Sequence, residues 1–275
     1  MVKTVEVLPE PYACLDKLPV WFKRPSPEGF RKAVLEGSEG LTDKVHIRHA
    51  YQHMYHRYMR DIAQRGCETG SNKIRILEIG LGCHPRGGMV RGTPGGSAKG
   101  WRHLFPAPTF DLDLHIMEFD EACGKKWGEK NQEIATVHYG DQGSKDDLLR
   151  IVSEAGGGPF DVIIDDGSHI NKHQILAAEV LTEFVGQGGV LILEDIHSAC
   201  KSWSANLGTH HGEHTGGSEG CMVTKTGEPT VFAALVEWQK KLILKEEPIK
   251  DIAHIDIAFE AAVLQKYIEQ PAKSS

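Results

Sequence analysis

The 275-residue sequence lacks the features that mark several classes of protein. Its first residues contain no basic region followed by an uninterrupted apolar stretch, as a secretory signal would, and no later run approaches the roughly 20 apolar residues of a membrane helix. The net charge is −7 and the sequence has no basic block, which argues against binding to nucleic acid. We therefore expect a cytoplasmic protein that binds neither membrane nor nucleic acid.

Cysteines are few, and their spacing suggests no pairing. No C-x-x-C motif occurs among them, so the sequence predicts neither a zinc ribbon nor a disulfide framework. We expect free thiols. The six residues are Cys14, Cys67, Cys83, Cys123, Cys200 and Cys221.

Length and a hydrophobic content of 40% fit one α/β domain with terminal additions. Residues 1–42 contain several prolines and the aromatic residues Tyr12 and Trp21, which indicates an irregular N-terminal arm that packs on the domain or covers a pocket. The domain itself is expected to comprise residues 43–275. A homo-oligomer is possible, but the sequence carries no signal for it.

Two further segments have a recognisable character. Residues 43–64 place apolar side chains about four positions apart, which predicts a leading amphipathic helix. Residues 197–229 include a polar, glycine-rich stretch that predicts a mobile lid rather than a metal site. The histidines of this segment are His197, His210, His211 and His214.

Between these segments, short β-branched runs alternate with helical periods. This pattern predicts a Rossmann-like α/β fold, a mainly parallel twisted sheet with helices on both faces. The predicted strands are 74–79, part of 110–119, 135–139, 162–164 and 190–193, separated by helices near 97–105, 121–130, 144–155 and 171–185. After residue 230 we expect another helix and then two apolar runs that close the sheet as a hairpin.

Ligands of such sheets bind beside the carboxyl ends of the strands, where loops and helix N-termini meet. The first strand ends in Glu78-Ile79-Gly80-Leu81-Gly82, whose glycines either let a ligand approach the backbone or form a structural turn. Glu118 ends the second strand and could accept hydrogen bonds from ribose, or it could be a solvated surface charge. Asp141 and Gln142 could recognise an adenine amino group, although Asp141 could equally be a helix N-cap.

The fourth and fifth strands end in more specific motifs. Asp165-Asp166-Gly167-Ser168-His169 follows the fourth, and Glu194-Asp195 follows the fifth. Clustered acids stay charged only when a cation or hydrogen bonds compensate them, which indicates a divalent ion, by default Mg²⁺. His169 could then remove a proton from a hydroxyl beside the metal. Alternatively, Ser168 caps the next helix and the acids face water.

The segments from Ile74 to Asp195, roughly half of the chain, resemble the metal-dependent O-methyltransferases of macrolide sugars and fungal proteins labelled hard-surface-induced. These belong to the class I S-adenosylmethionine (SAM) methyltransferases. The resemblance implies that His169 is the base and that SAM and Mg²⁺ are cofactors. The implied SAM-binding residues are Glu78, Gly80, Gly82, Glu118, Asp141, Gln142 and Asp165, and the implied metal ligands are Asp166, Glu194 and Asp195.

One departure from the family pattern concerns the glycine loop. Where relatives continue with small residues, this chain has Cys83-His84-Pro85-Arg86 and a longer loop to Gly96, which could crowd the methionine end of SAM. The fungal relatives include a non-methylating enzyme that forms a norbornene ring in sordarin biosynthesis by Diels–Alder cyclisation.

The sequence therefore predicts a SAM- and Mg²⁺-dependent O-methyltransferase acting on a small fungal or microbial natural product. The alternative is a non-methylating pericyclase of terpenoid biosynthesis, a Diels-Alderase on the same fold. A third possibility, a non-catalytic binding module, leaves the converging acids and His169 without a purpose.

Overall fold

The computed structural model describes residues 19–23, 26–45, 49–83, 94–200, 217–218, 221–247, 249–258 and 260–268. The helices are α1 (Val20–Lys23), α2 (Pro27–Gly37), α3 (Gln52–Thr69), α4 (Gly96–Leu104), α5 (Glu121–Gly128), α6 (Lys145–Glu154), α7 (Asn171–Leu181) and α8 (Val231–Ile243). The strands are β1 (Lys73–Ile79), β2 (Asp111–Glu118), β3 (Thr136–Tyr139), β4 (Phe160–Asp165), β5 (Val185–Leu193), β6 (Gly217–Ser218), β7 (Val223–Thr224), β8 (Ile252–Ala258) and β9 (Ala261–Lys266). Among these helices, none has the length and apolar character needed to cross a membrane.

Seven of the strands form one sheet in the order β3-β2-β1-β4-β5-β9-β8. The strands β3, β2, β1, β4 and β5 run parallel to one another. By contrast, β9 pairs antiparallel with β5 and with β8. This arrangement confirms the predicted α/β class, all five predicted parallel strands and the closing hairpin. The carboxyl ends of the five parallel strands consequently share one edge of the sheet.

Helices cover both faces of the sheet. Because the side chains of a strand alternate between its two sides, each strand contributes to the core on both faces. Ile74 and Ile76 of β1 pack on one face with residues of α2, α3 and α4. Leu77 and Ile79 of the same strand pack on the other face with residues of α6, α7 and α8. The predicted layers of helices on both faces are therefore confirmed.

The prediction of an irregular N-terminal arm was wrong for its described part. Residues 27–37 form helix α2, in which Phe30 and Val34 are buried in the core. Pro27 stands in the first turn, where its missing N–H costs nothing, and Ser26 Oγ accepts a hydrogen bond from Gly29 N at 3.0 Å. Pro27, one of the prolines that suggested an irregular arm, is thus the first residue of a helix. Tyr12 lies outside the described residues, and the boundary at residue 42 stays a prediction.

The predicted leading helix begins later than the sequence suggested. Helix α3 starts at Gln52, so the prediction was wrong for residues 43–45 and 49–51, which are not helical, while residues 46–48 lie outside the described part. The helix ends at Thr69, and Gly70, with a φ of 71°, forms a left-handed C-cap. Tertiary contacts of Lys44 and His49 at the strand ends replace the helical turn that the apolar spacing predicts.

The expectation of free thiols was also wrong. Disulfides join Cys83 to Cys123 and Cys200 to Cys221, and Cys67 is disulfide-bonded as well. The first two bonds link residues 40 and 21 positions apart, so no short spacing motif could reveal them. Cys14 lies outside the described residues.

The predicted lid at 197–229 falls largely outside the described part of the chain. His210, His211 and His214 are not described, and the mobility of the segment stays a prediction. The described end of the segment contains β7, and Thr230 then caps α8 by accepting a hydrogen bond from Ala233 N at 3.1 Å.

Candidate active site

The predicted acids meet at the carboxyl edge of the sheet. Asp166 N donates to Ile79 O, the last carbonyl of β1, at 3.0 Å, and Glu194 N donates to Asp165 O at 3.0 Å. These bonds hold the ends of β1, β4 and β5 in register. The structure thus brings Glu78, Asp165, Asp166, Glu194 and Asp195 to neighbouring positions, as the parallel topology requires.

A buried lysine lies among these acids. Lys44 Nζ is 2.8 Å from Asp166 Oδ2, 2.9 Å from Glu194 Oε2 and 3.1 Å from Glu78 Oε1, and its side chain is only 1% exposed. Burial alone would lower the pKa of Lys44, but attraction to the three carboxylates outweighs it and the pKa is raised well above its usual value. The ammonium therefore stays charged and partly neutralises the cluster.

One ammonium does not neutralise three carboxylates. Burial raises the pKa values of Glu78 and Glu194 even though Lys44 opposes the change. Glu78 also accepts a hydrogen bond from Trp101 Nε1 at 2.9 Å. Protons or a further cation are needed to complete the charge balance at this edge.

Two tyrosines from the start of α3 bind the Glu194-Asp195 pair. Tyr55 OH donates to Glu194 Oε1, and Tyr51 OH donates to Asp195 Oδ1 at 2.8 Å. Both oxygens of Glu194 are therefore engaged, one by Tyr55 and one by Lys44. Burial, together with these acids, raises the pKa values of Tyr51 and Tyr55, so both hydroxyls remain donors. The role of Glu194 as a metal ligand stays a prediction.

His169 faces the acids from the turn after β4. Its Nε2 is 3.4 Å from Asp195 Oδ2 and 4.0 Å from Asp166 Oδ1. One ligand atom from each of these three residues can be chosen such that all lie within 4.8 Å of one another. His169 and Asp195 both have a φ of 54°, a left-handed conformation that is uncommon outside glycine and marks a constrained site.

Asp165 takes a different position from Asp166. Its Oδ1 and Oδ2 accept hydrogen bonds from Gln142 Nε2 at 2.7 Å and 2.6 Å, while Gln142 Oε1 accepts one from Ser168 N at 2.9 Å. Burial raises the pKa of Asp165 to about 7. The predicted cofactor residues Asp165 and Gln142 thus bind each other and join the loops after β3 and β4.

The glycine loop passes close to the turn after β4. Gly80 has a φ of 101°, and a Cβ there would overlap the carbonyl oxygen of Asp166. Gly82 has a φ of 85°, and among the described residues the nearest atom to a Cβ added there would be Pro94 Cα, 3.9 Å away. Gly80 is therefore required by the fold itself, whereas no described atom lies in close contact at Gly82.

Glu118 turns its carboxylate toward this loop. Oε2 accepts a hydrogen bond from Leu81 N at 3.0 Å, and Oε1 accepts one from Asp120 N at 2.8 Å. Burial raises the pKa of Glu118, and these backbone donors oppose the change. The solvated-charge interpretation is wrong because only 5% of the residue is exposed.

Two of the capping alternatives are wrong. Ser144, not Asp141, caps α6, since Ser144 Oγ accepts a hydrogen bond from Asp147 N at 3.2 Å. Asp141 is exposed, and its Oδ1 accepts one from Gly143 N at 2.8 Å. Helix α7 has no side-chain cap, so Ser168 is not a helix cap either.

Sequence reasoning missed several residues of this edge. The residues are Lys44, His49, Tyr51, Tyr55 and Glu260, while His197 was considered as a metal ligand by its residue type but assigned to the lid. Tyr51 and Tyr55 are spaced four apart, which puts them on one side of a helix and is the one local signal that could have found them. The others are brought in by tertiary packing alone.

Sheet order, the antiparallel hairpin after β5 and acids at the carboxyl edge define a Rossmann-like methyltransferase fold. The MycE methyltransferase of the mycinamycin biosynthetic pathway, solved with Mg, SAH and mycinamycin VI, superposes with a TM-score of 0.63 at 22% identity, covering 86% of this chain and 53% of that one. A second crystal form of MycE with Mg and SAH gives a TM-score of 0.64. No protein-family model matches the chain.

The chain is related in sequence to sugar O-methyltransferases of bacterial natural products. Demethylmacrocin O-methyltransferase of Streptomyces fradiae is 33% identical over 165 residues, 59% of this chain and 35% of the relative. Mycinamicin VI 2''-O-methyltransferase of Micromonospora griseorubida is 33% identical over 180 residues, 62% and 38% of the two chains. A tetracenomycin-C 3'-O-methyltransferase of Streptomyces olivaceus is 36% identical over 150 residues, 54% and 32% of the two chains. The match spans about a third of the length of each relative.

Proposed function

We propose that this chain is a SAM- and Mg²⁺-dependent O-methyltransferase that acts on a hydroxyl group of a small natural product. The observation that carries the proposal is the placement of His169 Nε2 beside Asp166 and Asp195 at the ends of β4 and β5. Similarity to O-methyltransferases over the same part of the chain supports the reaction class.

The donor set fits a hard divalent cation. Asp166 and Asp195 offer carboxylate oxygens near His169, and the surplus of negative charge around Lys44 favours a second positive charge. Asp166 and Asp195 would hold Mg²⁺, and Glu194 would join them if Mg²⁺ displaces Lys44 or Tyr55 from one of its oxygens. A bound Mg²⁺ lowers the pKa of a hydroxyl that contacts it.

The protein's own residues handle the proton. His169 would accept the hydroxyl proton on Nε2, and Asp195 would stabilise the imidazolium that results. Tyr51 fixes Asp195 by donating to Oδ1 and by accepting from Asp195 N at 3.1 Å. The substrate oxygen is thereby prepared for bonding to the methyl carbon, whose supply is the role of bound SAM.

The cofactor would lie along the first three strand ends. No described atom lies closer than 3.9 Å to a Cβ added at Gly82, Glu118 lies at the end of β2, and the next residue, Phe119, exposes 75% of its surface. An exposed aromatic ring at this position can stack on adenine. Asp141 is exposed nearby and can accept a hydrogen bond from an amino group.

A cofactor-free cyclase is the second candidate. Each oxygen of Glu118 already accepts a backbone N–H, and the disulfide from Cys83 to Cys123 ties the glycine loop to α5. The first feature leaves fewer carboxylate lone pairs of Glu118 for ribose hydroxyls, and the second restricts movement of the glycine loop. A cyclase would need only a shaped cavity and a hydrogen bond to a substrate carbonyl, with no methyl donor.

The two candidates differ in product mass. The purified chain should be incubated with SAM, MgCl₂ and a panel of hydroxylated macrolide glycosides and terpenoid alcohols, and the products analysed by mass spectrometry. A product heavier by one methylene unit, formed together with S-adenosylhomocysteine, is expected. An isomer of the substrate formed without SAM would contradict methyl transfer and support the cyclase.

A variant of His169 can distinguish a role in proton removal from a role in SAM binding. We expect His169→Ala to lower kcat by about a hundredfold or more, because it removes the base. The Kd for SAM, measured by isothermal titration calorimetry, should stay nearly unchanged. His56→Ala is the control, since His56 lies on α3 and contacts only Gln52 O among the bonds described for it, at 2.9 Å. Equal loss of turnover and of SAM affinity in His169→Ala would contradict the assigned role.

A further inference from the structure

Beyond the His169 side of Asp195, a second cluster of metal-ligating side chains surrounds the other oxygen of the same carboxylate. His49 Nδ1 is 3.5 Å from Asp195 Oδ1 and 3.1 Å from Glu260 Oε2. His197 Nδ1 is 3.6 Å from Asp195 Oδ1 and 4.0 Å from Glu260 Oε1. Two imidazoles and two carboxylates therefore face one another on the side of Asp195 that is turned away from His169.

The fold assembles this cluster from three separate segments. His49 precedes α3, Asp195 follows β5, His197 lies in the short 3-10 helix Ile196–Ala199, and Glu260 lies in the turn between β8 and β9. Ile196 N donates to Glu260 O at 2.9 Å, which attaches the hairpin turn to the end of β5. Asp195 and Glu260 have φ values of 54° and 60°, so both carboxylates stand on left-handed backbone that L-residues adopt at a cost.

The distances suit coordination of a transition metal. Ligands about 2.0–2.1 Å from a tetrahedral Zn²⁺ ion lie about 3.3 Å from one another. The His49, Asp195 and Glu260 ligand atoms all lie within 4.8 Å of one another, so small rotations would bring them to that separation. Side-chain exposures of 11% for Asp195, 16% for His49 and 27% for Glu260 leave a path for an ion.

Donor chemistry distinguishes this cluster from the predicted Mg²⁺ site. Mg²⁺ prefers carboxylates and water, whereas mixed imidazole and carboxylate sets suit Zn²⁺, Mn²⁺, Fe²⁺ or Co²⁺. Asp195 can serve both sites, because Oδ2 faces His169 while Oδ1 faces His49 and His197. The hydrogen bond from Tyr51 to Oδ1 leaves that oxygen a second lone pair.

We propose that His49, His197, Asp195 and Glu260 form a second divalent-cation site, selective for a transition metal and bridged through Asp195 to the Asp166–His169 side. The proposal does not rest on methyl transfer. It would apply equally to a cyclase on this fold, because it follows from the four side chains alone.

Cobalt alone is a suitable probe, since Co²⁺ bound by imidazole absorbs visible light. A tag-free full chain, stripped of metal with a chelator, should be titrated with Co²⁺ and followed by visible absorption, with bound metal measured by mass spectrometry after equilibrium dialysis. Wild type should bind Co²⁺ with a visible band. Glu260→Gln and His49→Gln should each weaken that binding by about a hundredfold or more.

Two control variants isolate the cluster. The triple variant His210→Gln/His211→Gln/His214→Gln removes three histidines that stand close together in the sequence and could attract Co²⁺, and it should keep the band. Asp166→Asn removes a residue of the predicted Mg²⁺ site, which also contacts Lys44, but no residue of the cluster, so it should keep the band too. Melting curves show whether each variant folds. If one of the two cluster variants, Glu260→Gln or His49→Gln, fails to fold, Co²⁺ binding by the other still tests the proposal.

Two results would overturn the proposal. One is a wild-type chain without a visible Co²⁺ band at micromolar metal. The other is that both cluster variants fold and bind Co²⁺ as wild type does. If their melting temperatures were lowered while Co²⁺ binding was unchanged, the four residues would form only ion pairs. Measuring SAM binding and methyl transfer in MgCl₂ on the same samples keeps this outcome separate from the proposed function.

Discussion

At the scale of the residue, Lys44 changes how the acidic edge is understood. The sequence showed acids that need compensation and suggested a metal for all of them, but the ammonium of Lys44 contacts Glu78, Asp166 and Glu194 and neutralises part of their charge. Lys44 is 122 residues from Asp166 and 150 from Glu194, so no local pattern could pair them. The identities of the acids could be predicted because they follow strands, whereas their buried counter-ion could not.

Removing this ammonium should destabilise the protein strongly. We expect Lys44→Met to lower the free energy of unfolding by about 3–5 kcal/mol, because it leaves buried carboxylates without their partner. Lys73→Met is the control, since Lys73 is 52% exposed and its 3.5 Å contact with Asp113 should contribute less than about 1 kcal/mol.

Urea unfolding at pH 5 and pH 8 measures both variants. The loss caused by Lys44→Met should be smaller at pH 5, where carboxylates with raised pKa values take up protons. Losses that match those of Lys73→Met at both pH values would contradict the account of Lys44.

Asp165 gives a pH dependence of known sign. Its pKa is about 7 in the folded protein and near 4 when exposed, so the unfolded chain loses the proton first and stability falls as pH rises from about 4 to 7. By pH 8 the cost is up to about 4 kcal/mol. Asp165→Asn cannot titrate, and its stability measured by urea unfolding in EDTA should lack this decline. Parallel pH profiles for wild type and variant would rule the explanation out.

At the scale of the element, the successes and failures of the sequence-based predictions have separable causes. The central strands β4 and β5 could be predicted because each contains a short apolar run that is buried on both faces. The hairpin of β8 and β9 could be predicted because two apolar runs stand close together in the sequence. The helix predicted for residues 43–64 was too long at its N-terminal end. Apolar residues keep a helical spacing there, but Lys44 contacts the acids at the strand ends instead of continuing a helix. The disulfides depend on contacts between elements, which spacing does not encode.

The contact between the β1 and β4 turns is testable through Gly80. Gly80→Ala should lower the free energy of unfolding by about 3 kcal/mol, since the methyl group meets Asp166 O and the φ of 101° is unfavourable for alanine. Gly70→Ala is a matched control with a φ of 71° and, among the described residues, no atom within 4 Å of the added methyl group, so only backbone strain of roughly 1 kcal/mol should remain. Equal losses in urea unfolding would show that the two turns are not in tight contact.

At the scale of the whole molecule, the fold is better determined than the chemistry. Sheet order and superposition on MycE agree on a Rossmann-like methyltransferase architecture. Function depends on the site and not on the sheet, and the same scaffold can hold different reactions. Here the acids and His169 favour methyl transfer, while the engaged oxygens of Glu118 and Glu194 limit how a cofactor and a metal can bind.

The most direct test of the central claim is a crystal structure of the chain grown with S-adenosylhomocysteine and MgCl₂. We expect the cofactor product beside Gly82, Glu118 and Phe119, with a cation bound by Asp166 and Asp195 near His169. Crystals grown at saturating S-adenosylhomocysteine that show the glycine loop closed over this region, and no cofactor, would contradict it.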